Sequence, residues 1–191
     1  GNTSSTIPSF TSNFPVDFVF NKKPESTGNW EVMARLMQGS WLKTNETDAE
    51  ASYSDATFDS NVGCISNNGY TSNNQAYMWK RHAGFDVVTY KGDGVAGRQI
   101  PHSLNKTVEM IWVKDRSSSN GWAVGHKGLN GGTNPWEYNL KLNENAAEES
   151  YTNRWNDTAP TSTHFSIGTS NRVNTDGDDY IAMLFASVDG I

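Results

Sequence analysis

The chain has 191 residues, of which 19% are charged and 12% aromatic, and its formal net charge is −6. Its apolar and aromatic content excludes a disordered chain, and its single cysteine, Cys64, excludes an internal disulfide. The acidic balance without a basic cluster argues against a nucleic-acid partner, and the shortness of the apolar runs argues against insertion into a membrane.

Short apolar stretches with strand-like spacing follow one another along the chain. They are VDFVF, WEVMA, AYMWK, FDVVTY, VEMIWV, GWAVGH, YNLKL, HFSIG and YIAMLFA. Turn-forming clusters such as SNNGYTSNN and NTDGDD separate them. Short strands with frequent turns predict an all-β fold of the sandwich or barrel type. TDAEASY, residues 47–53, carries the best helical signal, of about one or two turns.

Two twelve-residue stretches of the chain repeat each other. LKTNETDAEASY (42–53) and LKLNENAAEESY (140–151) agree at eight positions and lie 98 residues apart. Upstream, VDFVFNKKPESTGNW (16–30) aligns without a gap with VEMIWVKDRSSSNGW (108–122). An internal duplication explains both matches. It predicts two tandem β-sandwich repeats, jelly-roll or immunoglobulin-like, at residues 1–83 and 84–191, with Trp30 and Trp122 at equivalent buried sites.

The two predicted repeats differ at their starts. In the second repeat, FDVVTYK (85–91) has the pattern of a full strand before the turn at Gly92. The first repeat begins at its equivalent turn, Gly1-Asn2, without that strand, and Gly190-Ile191 is where a further such strand would start. We therefore expect either a segment of a longer array or a subunit whose first repeat is completed by a strand of another chain.

Three tryptophans are the candidate binding residues because no aromatic residue aligns with them in the other repeat: Trp41, Trp136 and Trp155. Two of them lie in insertions of the second repeat, GGTNPWEY and NRWNDTAPTST. Aromatic rings on loops can stack on sugar rings, and loops on a rigid β scaffold often carry binding sites. The pattern leaves two roles open, contact with a ligand or partner and local packing, of which local packing is favoured for Trp136 and Trp155.

The segment NTDGDD places Asp176, Asp178 and Asp179 around a glycine, and such closely spaced carboxylates can bind calcium. The rest of an EF-hand pattern is missing, so a plain hairpin turn is favoured, with no cofactor, and calcium is the alternative. The four histidines and the repeated glutamates, Glu46/Glu144 and Glu50/Glu148, form no catalytic motif. The sequence therefore predicts that the protein is not an enzyme.

The second repeat resembles a repeat domain of bacteriophage virion and tail-associated proteins, often those of marine phages. The resemblance rests on GFDVVTYKGDGVAGRQIPHSL, MIWVKDRSSSNGWAVGHKGLN, LKLNENAAEES and WNDTAPTSTHFSIGTSNRVNTDGDDYIAMLFA. It covers residues 84–191, and the first repeat is a diverged member with Ser9 at the position of His102. The resemblance implies a non-enzymatic structural or host-contact module, and it brings no catalytic residues with it.

We therefore expect a virion component, part of a tail fibre, spike or surface appendage, with a virion or extracellular location. Its expected partners are other copies of itself, other virion proteins and a host-surface glycan. The alternative is a carbohydrate-binding module or adhesin domain of a secreted bacterial protein, which would be monomeric. An enzyme acting on glycans would need two carboxylates at catalytic separation, and the sequence nominates no such pair.

Overall fold

The structure is a computed structural model that describes residues 8–65, 73–82 and 84–188. The chain forms two compact units, unit 1 within residues 1–46 and 50–80 and unit 2 within residues 47–49 and 81–191. Both units consist mainly of antiparallel strands, so the predicted β class is confirmed. Within the described ranges, no helix is long and apolar enough to span a membrane.

Unit 1 is built around one five-stranded antiparallel sheet. Its described strands are β1 (Phe10–Thr11), β2 (Phe18–Lys22), β3 (Glu31–Ala34), β4 (Ser40–Lys43), β5 (Ala51–Ser52), β6 (Gly63–Cys64) and β7 (Gln75–Trp79), and Arg35–Met37 form a 3₁₀ turn. Five strands lie in the order β5-β4-β3-β2-β7, and β1 pairs with β6. Phe10 and Cys64 from the small sheet share one core with Val19 and Met33 from the large sheet.

Unit 2 also consists of antiparallel strands. They are β8 (Phe85–Lys91), β9 (Arg98–Pro101), β10 (Met110–Asp115), β11 (Ala123–His126), β12 (Tyr138–Asn139), β13 (Glu149–Ser150), β14 (His164–Ile167) and β15 (Asp179–Phe185), with the helix α1 (Asn171–Asn174) and 3₁₀ turns at Leu129–Gly132 and Pro135–Glu137. One sheet has the order β11-β10-β15-β8, while β9 pairs with β14 and β12 with β13. Ile100 and Phe165 from β9 and β14 share a core with Ile111 and Ala182.

The strand registers of the two units correspond residue by residue. Phe18 lies opposite Trp79 on one side of β2 and opposite Ala34 on the other. Met110, which aligns with Phe18, lies opposite Phe185 and His126 in the same two directions. The aligned ion pairs also agree: Arg35 binds Asp17 at 2.9 Å in unit 1, and Lys127 binds Glu109 at 2.7 Å in unit 2.

The repeated twelve-residue stretch has a structural role in both units. Asn45 accepts a hydrogen bond from the backbone N–H of Trp30 at 2.9 Å. Asn143, at the same place in the second stretch, accepts the equivalent bond from Trp122 at 2.9 Å. Because an unpaired backbone N–H is costly to bury, each asparagine fixes its loop against the strand that follows the hairpin turn.

A repeated lysine closes the hairpin turn in both units. The Lys22 ammonium donates to the carbonyl of Gly28 at 2.7 Å. The Lys114 ammonium donates to the carbonyls of Asp115 at 2.6 Å and Ser118 at 3.2 Å. Burial lowers the pKa of Lys114 to about 8, and the charges of Asp115 and Asp48 act against that shift.

Two local predictions are wrong. Trp122 is fully buried as predicted, but Trp30 is only half-buried. Its ring packs on Phe20, itself half-buried, at 4.7 Å, and the Lys22 ammonium lies 5.2 Å from the ring centre. The segment 47–53 forms no helix, since β5 pairs with β4 there and strand pairing overrides weak local helix propensity. The only α-helix in the described residues is α1, capped by the Ser170 hydroxyl.

The outer edges of the two large sheets differ. In unit 2, β8 pairs with β15 along its whole length, from Phe85 opposite Phe185 to Lys91 opposite Asp179. In unit 1, β7 aligns with β15 and is an edge strand within the described part of the chain. Gly1-Asn2 and Gly190-Ile191, on which the prediction of a missing strand rests, lie outside the described residues. That prediction stays a prediction.

Candidate functional site

A polar pocket of about 400 Å³ opens on unit 2 where the repeated stretch meets the second insertion. We call it the Arg154 pocket. Its lining includes residues from the β10–β11 turn, the repeated stretch, the second insertion and α1: Ser119, Asn120, Gly121, Lys141, Glu149, Tyr151, Arg154, Asn171 and Arg172. Three of these side chains carry positive charge and one carries negative charge, although the chain as a whole is acidic.

Arg154 is the most buried charge of the pocket, with 3% of its surface exposed. Its Nε donates to the Asn139 side-chain oxygen at 2.8 Å, and its Nη1 donates to the Ser170 hydroxyl. The Tyr151 ring lies 4.2 Å from the centre of the guanidinium. These partners are all neutral, and no carboxylate of the described residues forms an ion pair with Arg154.

The electrostatics of Arg154 reflect that environment. Burial, and then the charge of Arg172, lower the pKa of Arg154 to about 10. A charge that is buried without an opposite charge costs on the order of several kcal/mol, which hydrogen bonds to neutral groups offset only in part. Among the described residues Arg154 therefore forms no ion pair, and the more distant charge of Glu149 opposes the effect of burial only in part.

Lys141 organises the acidic residues beside the pocket. Its ammonium lies 3.2 Å from Glu144 and 3.1 Å from Glu149, and Arg172 lies 3.6 Å from the other oxygen of Glu144. Hydrogen bonds to Glu149 and Glu144 raise the pKa of Lys141, and the bond from Lys141 lowers the pKa of Glu149. Glu149 is therefore held ionised, whereas a general acid needs a raised pKa.

One wall of the pocket consists of amide side chains that are already oriented. The Asn120 amide donates to Asp115 at 2.8 Å, and the Asn171 amide donates to the Asn120 oxygen at 2.9 Å. Asp115 also accepts bonds from two backbone N–H groups of the turn, so this wall continues into the buried interior. At the rim, Tyr151 exposes 40% of its surface. Fixed amides beside an exposed ring are suited to a hydroxyl-rich ligand.

The predicted residue Trp155 is adjacent to the pocket in sequence but points away from it. It is fully buried and packs edge to face against Trp136, with ring centroids 6.2 Å apart. Both rings lie over Gly125, where an added Cβ would stand 2.7 Å from Trp136 and 2.8 Å from Trp155. The position of Gly125 is taken by buried Met33 in unit 1, so the inserted tryptophans fill space that a side chain fills there.

The other two predicted tryptophans are outside the Arg154 pocket as well. Trp136 is largely buried, yet it borders a separate cavity of about 210 Å³ together with Asn134 and Asp157. Trp41 is half-buried in unit 1, with its ring 6.3 Å from Tyr53. Local packing, the second of the two roles left open by the sequence, accounts for the position of Trp155. Ligand contact by Trp136 and Trp41 stays a prediction.

The aspartates of NTDGDD are not gathered into one site. Asp179 pairs with Lys91 at 3.2 Å, Asp178 accepts a bond from the Ser118 hydroxyl at 3.3 Å, and Asp176 is exposed. Gly177 has a φ of 83°, in the left-handed region that favours glycine, and the segment is the turn between α1 and β15 rather than the predicted hairpin turn between paired strands. Across the described ranges, no group of three or more His, Cys, Asp or Glu side chains is placed to hold a metal ion.

Sequence reasoning missed Arg154 as a site residue because an arginine in a polar loop segment gives no sign that its guanidinium is buried in a pocket. A usable signal was present in the repeat: Lys141, Glu144 and Tyr151 all belong to the repeated stretch. The insertion that supplies Arg154 follows that stretch directly in the second copy. A repeated stretch next to a segment that the first stretch lacks is therefore a place to look for a site that differs between the two halves of the chain.

Comparison with known proteins gives one family. Residues 78–191 match a family described as a domain of unknown function, DUF7483, and this range includes every pocket residue named above. No curated protein matches the chain. No solved structure matches it either. Since the match spans more than half of the sequence, the chain belongs to the DUF7483 family.

Proposed function

We propose that this chain is a non-enzymatic host-contact module of a phage virion, part of a tail fibre, spike or surface appendage, and that it binds a host-surface glycan in the Arg154 pocket. The observation that carries the proposal is the pocket itself, which is lined both by the exposed Tyr151 ring and by the oriented Asn120 and Asn171 amides. An apolar ring that stacks on a sugar and amides that bond its hydroxyls are the usual means of saccharide recognition. The virion setting rests on the resemblance of the second repeat.

The charges of the pocket support binding rather than hydrolysis. Glu149 is the one carboxylate among the lining residues, and its pKa is lowered by the bond from Lys141. A glycosidase acid must hold a proton at the working pH, and it acts with a second carboxylate at a set distance. An ionised glutamate fixed by a lysine instead orients its neighbours and accepts hydrogen bonds from a ligand.

The two units are, in this proposal, tandem β-sandwich repeats that arose by duplication and form a spacer carrying one binding pocket. The support is the residue-by-residue agreement of the strand registers and of the asparagine and ion-pair contacts. In each unit, side chains from two sheets contribute to one core, as in a sandwich. The binding pocket is assigned to the second repeat because Arg154 lies in its insertion, and Thr47 is the one described lining residue that comes from the first repeat.

Assembly with further copies of the chain or with other virion proteins completes the proposal. Its support is β7, an edge strand within the described residues, at the position where unit 2 has β15 covered by β8. Exposed edges invite pairing with another strand, and Tyr77 on β7 exposes 48% of its surface.

The test is a glycan-array screen of the chain, with light scattering for its mass. We expect binding to a defined set of saccharides, loss of that binding in Tyr151→Ala, and a mass above that of one chain. Tyr53→Ala, which changes the aligned tyrosine of unit 1, is the matched control and should retain binding. A monomer that binds glycans would favour the carbohydrate-binding module of a secreted protein, and a chain without any glycan ligand would contradict the proposal.

A further inference from the structure

The ligand class of the Arg154 pocket can be narrowed by its unbalanced charge. Arg154, Lys141 and Arg172 bring three cations to the pocket, and Glu149 is the one carboxylate among the residues that line it. Glu149 is already bound by Lys141 at 3.1 Å, and Glu144 lies between Lys141 and Arg172. The two acids form ion pairs with Lys141 and Arg172, so Arg154 is the one cation of the described lining without an ion pair, and Glu149 acts on it only from a longer distance.

Arg154 is also the cation with the least access to water. It is 3% exposed, whereas the Lys141 and Arg172 side chains are each 18% exposed. Its Nε and Nη1 are engaged by Asn139 and Ser170, and the guanidinium plane is placed against Tyr151. A planar guanidinium oriented in this way presents its remaining N–H groups in a fixed direction, which suits recognition of a planar or tetrahedral anion.

We propose that the saccharide bound in the Arg154 pocket carries an anionic group, a carboxylate or a sulfate, which forms an ion pair with Arg154. This inference rests on the proposed function and specifies its ligand. The sugar ring stacks on Tyr151, its hydroxyls bond to Asn120 and Asn171, and the anionic substituent supplies the ion-pair partner that no described carboxylate provides. A host surface coated with acidic polysaccharide is the matching target.

The absence of this feature from unit 1 agrees with a gain in the second copy. Arg154 lies in the NRWNDTAPTST insertion, which unit 1 lacks, while Lys141 and Tyr151 align with Lys43 and Tyr53. In unit 1, Lys43 instead covers the Trp41 ring at 5.5 Å. The aligned region of unit 1 therefore has the lysine and the tyrosine without the buried arginine, and it is a natural control within the same chain.

The experiment is isothermal titration of the full chain with three oligosaccharides of equal length: an oligouronate, its methyl ester and a sulfated neutral oligosaccharide. The ester keeps the ring and hydroxyls but removes the charge, so this comparison needs no protein variant that could fail to fold. We expect the ester to bind at least tenfold more weakly than the acid. We also expect affinity for the acid to fall as salt is raised from about 50 to 500 mM.

The outcomes separate this inference from the proposed function. Equal binding of acid and ester would overturn the anionic inference while leaving glycan binding intact, and no binding of any saccharide, here or on the array, would overturn both. Preference for the uronate or for the sulfated sugar identifies which anion is used, and either supports the inference. Arg154→Lys keeps the positive charge but loses the forked N–H groups of the guanidinium. It should weaken binding of the acid at least tenfold and change binding of the ester little. An equal loss for both ligands would refute a direct ion pair.

Discussion

The substitution Gly125→Ala tests whether the tryptophans of the two insertions close the core of unit 2. The added methyl group would lie 2.7 Å from Trp136 and 2.8 Å from Trp155, well inside van der Waals contact. Both rings are buried and pack against each other, so neither is a flexible side chain end that moves aside freely. Overpacking of this kind costs about 1 to 3 kcal/mol, and we expect a loss in that range.

The assay is urea unfolding followed by circular dichroism, with the midpoint and slope compared between variants. Gly28→Ala is the control, because an added Cβ there meets only the Ser26 hydroxyl at 3.2 Å and φ is not in the left-handed region. We expect the control to change stability by less than about 0.5 kcal/mol. Gly125→Ala should lower the midpoint without a change in slope.

A double-mutant cycle with Trp155→Ala sharpens the test. Trp155→Ala alone should cost about 3 to 5 kcal/mol by leaving a cavity. In the double variant the methyl group enters space that the ring vacated, so the two losses should sum to more than the measured loss, by about 0.5 to 3 kcal/mol. A neutral Gly125→Ala, or strictly additive losses, would refute the reasoning that Gly125 exists to admit these rings.

Three further predictions concern other buried groups. Burial alone would raise the pKa of Asp86, but the hydrogen bonds from Arg81 and Ser103 outweigh it, so the net pKa lies below the ordinary value. Its contribution to stability is therefore present above about pH 4 and lost as the pH falls through the lower folded pKa, so the deficit of Asp86→Asn in urea unfolding should shrink in acid; a deficit constant with pH would contradict this. Burial also raises the pKa of Cys64 to about 12, so the native chain should resist a thiol reagent that labels it at once in urea, and rapid native labelling would place the thiol elsewhere. Asn45→Ala and Asn143→Ala should each cost about 1 kcal/mol, measured by thermal melting, because each removes the same bond to a tryptophan N–H, and a loss in only one variant would break the equivalence.

The sequence patterns predict the strands well because short runs of apolar, β-branched and aromatic residues between turn residues are typical of buried strands. VDFVF, VEMIWV and YIAMLFA overlap β2, β10 and β15 within two residues, and the gapless alignment of 16–30 with 108–122 anticipates the common register of β2 and β10. The weak helical signal at residues 47–53 fails because β5 is stabilised by its pairing with β4, a contact that local propensity does not contain.

The site could be predicted only in part. The sequence analysis places Trp136 and Trp155 in insertions of the second copy, and the structure buries both rings while Arg154 lines the pocket. Charged residues are rarely buried, so a sequence alone assigns an arginine to the surface and gives no sign that Arg154 is buried in a pocket. The burial of both tryptophan rings depends on Gly125, which has no side chain and so leaves space for them.

The most direct test of the central claim, that the second unit binds a saccharide in the Arg154 pocket, is nuclear magnetic resonance with the best saccharide from the array. The account predicts that titration shifts the side-chain amide signals of Asn120 and Asn171 and the ring signals of Tyr151, and leaves Tyr53 and Trp41 unchanged. Shifts centred on the tryptophans of unit 1, or on the 210 Å³ cavity beside Trp136, would contradict it by placing the ligand elsewhere.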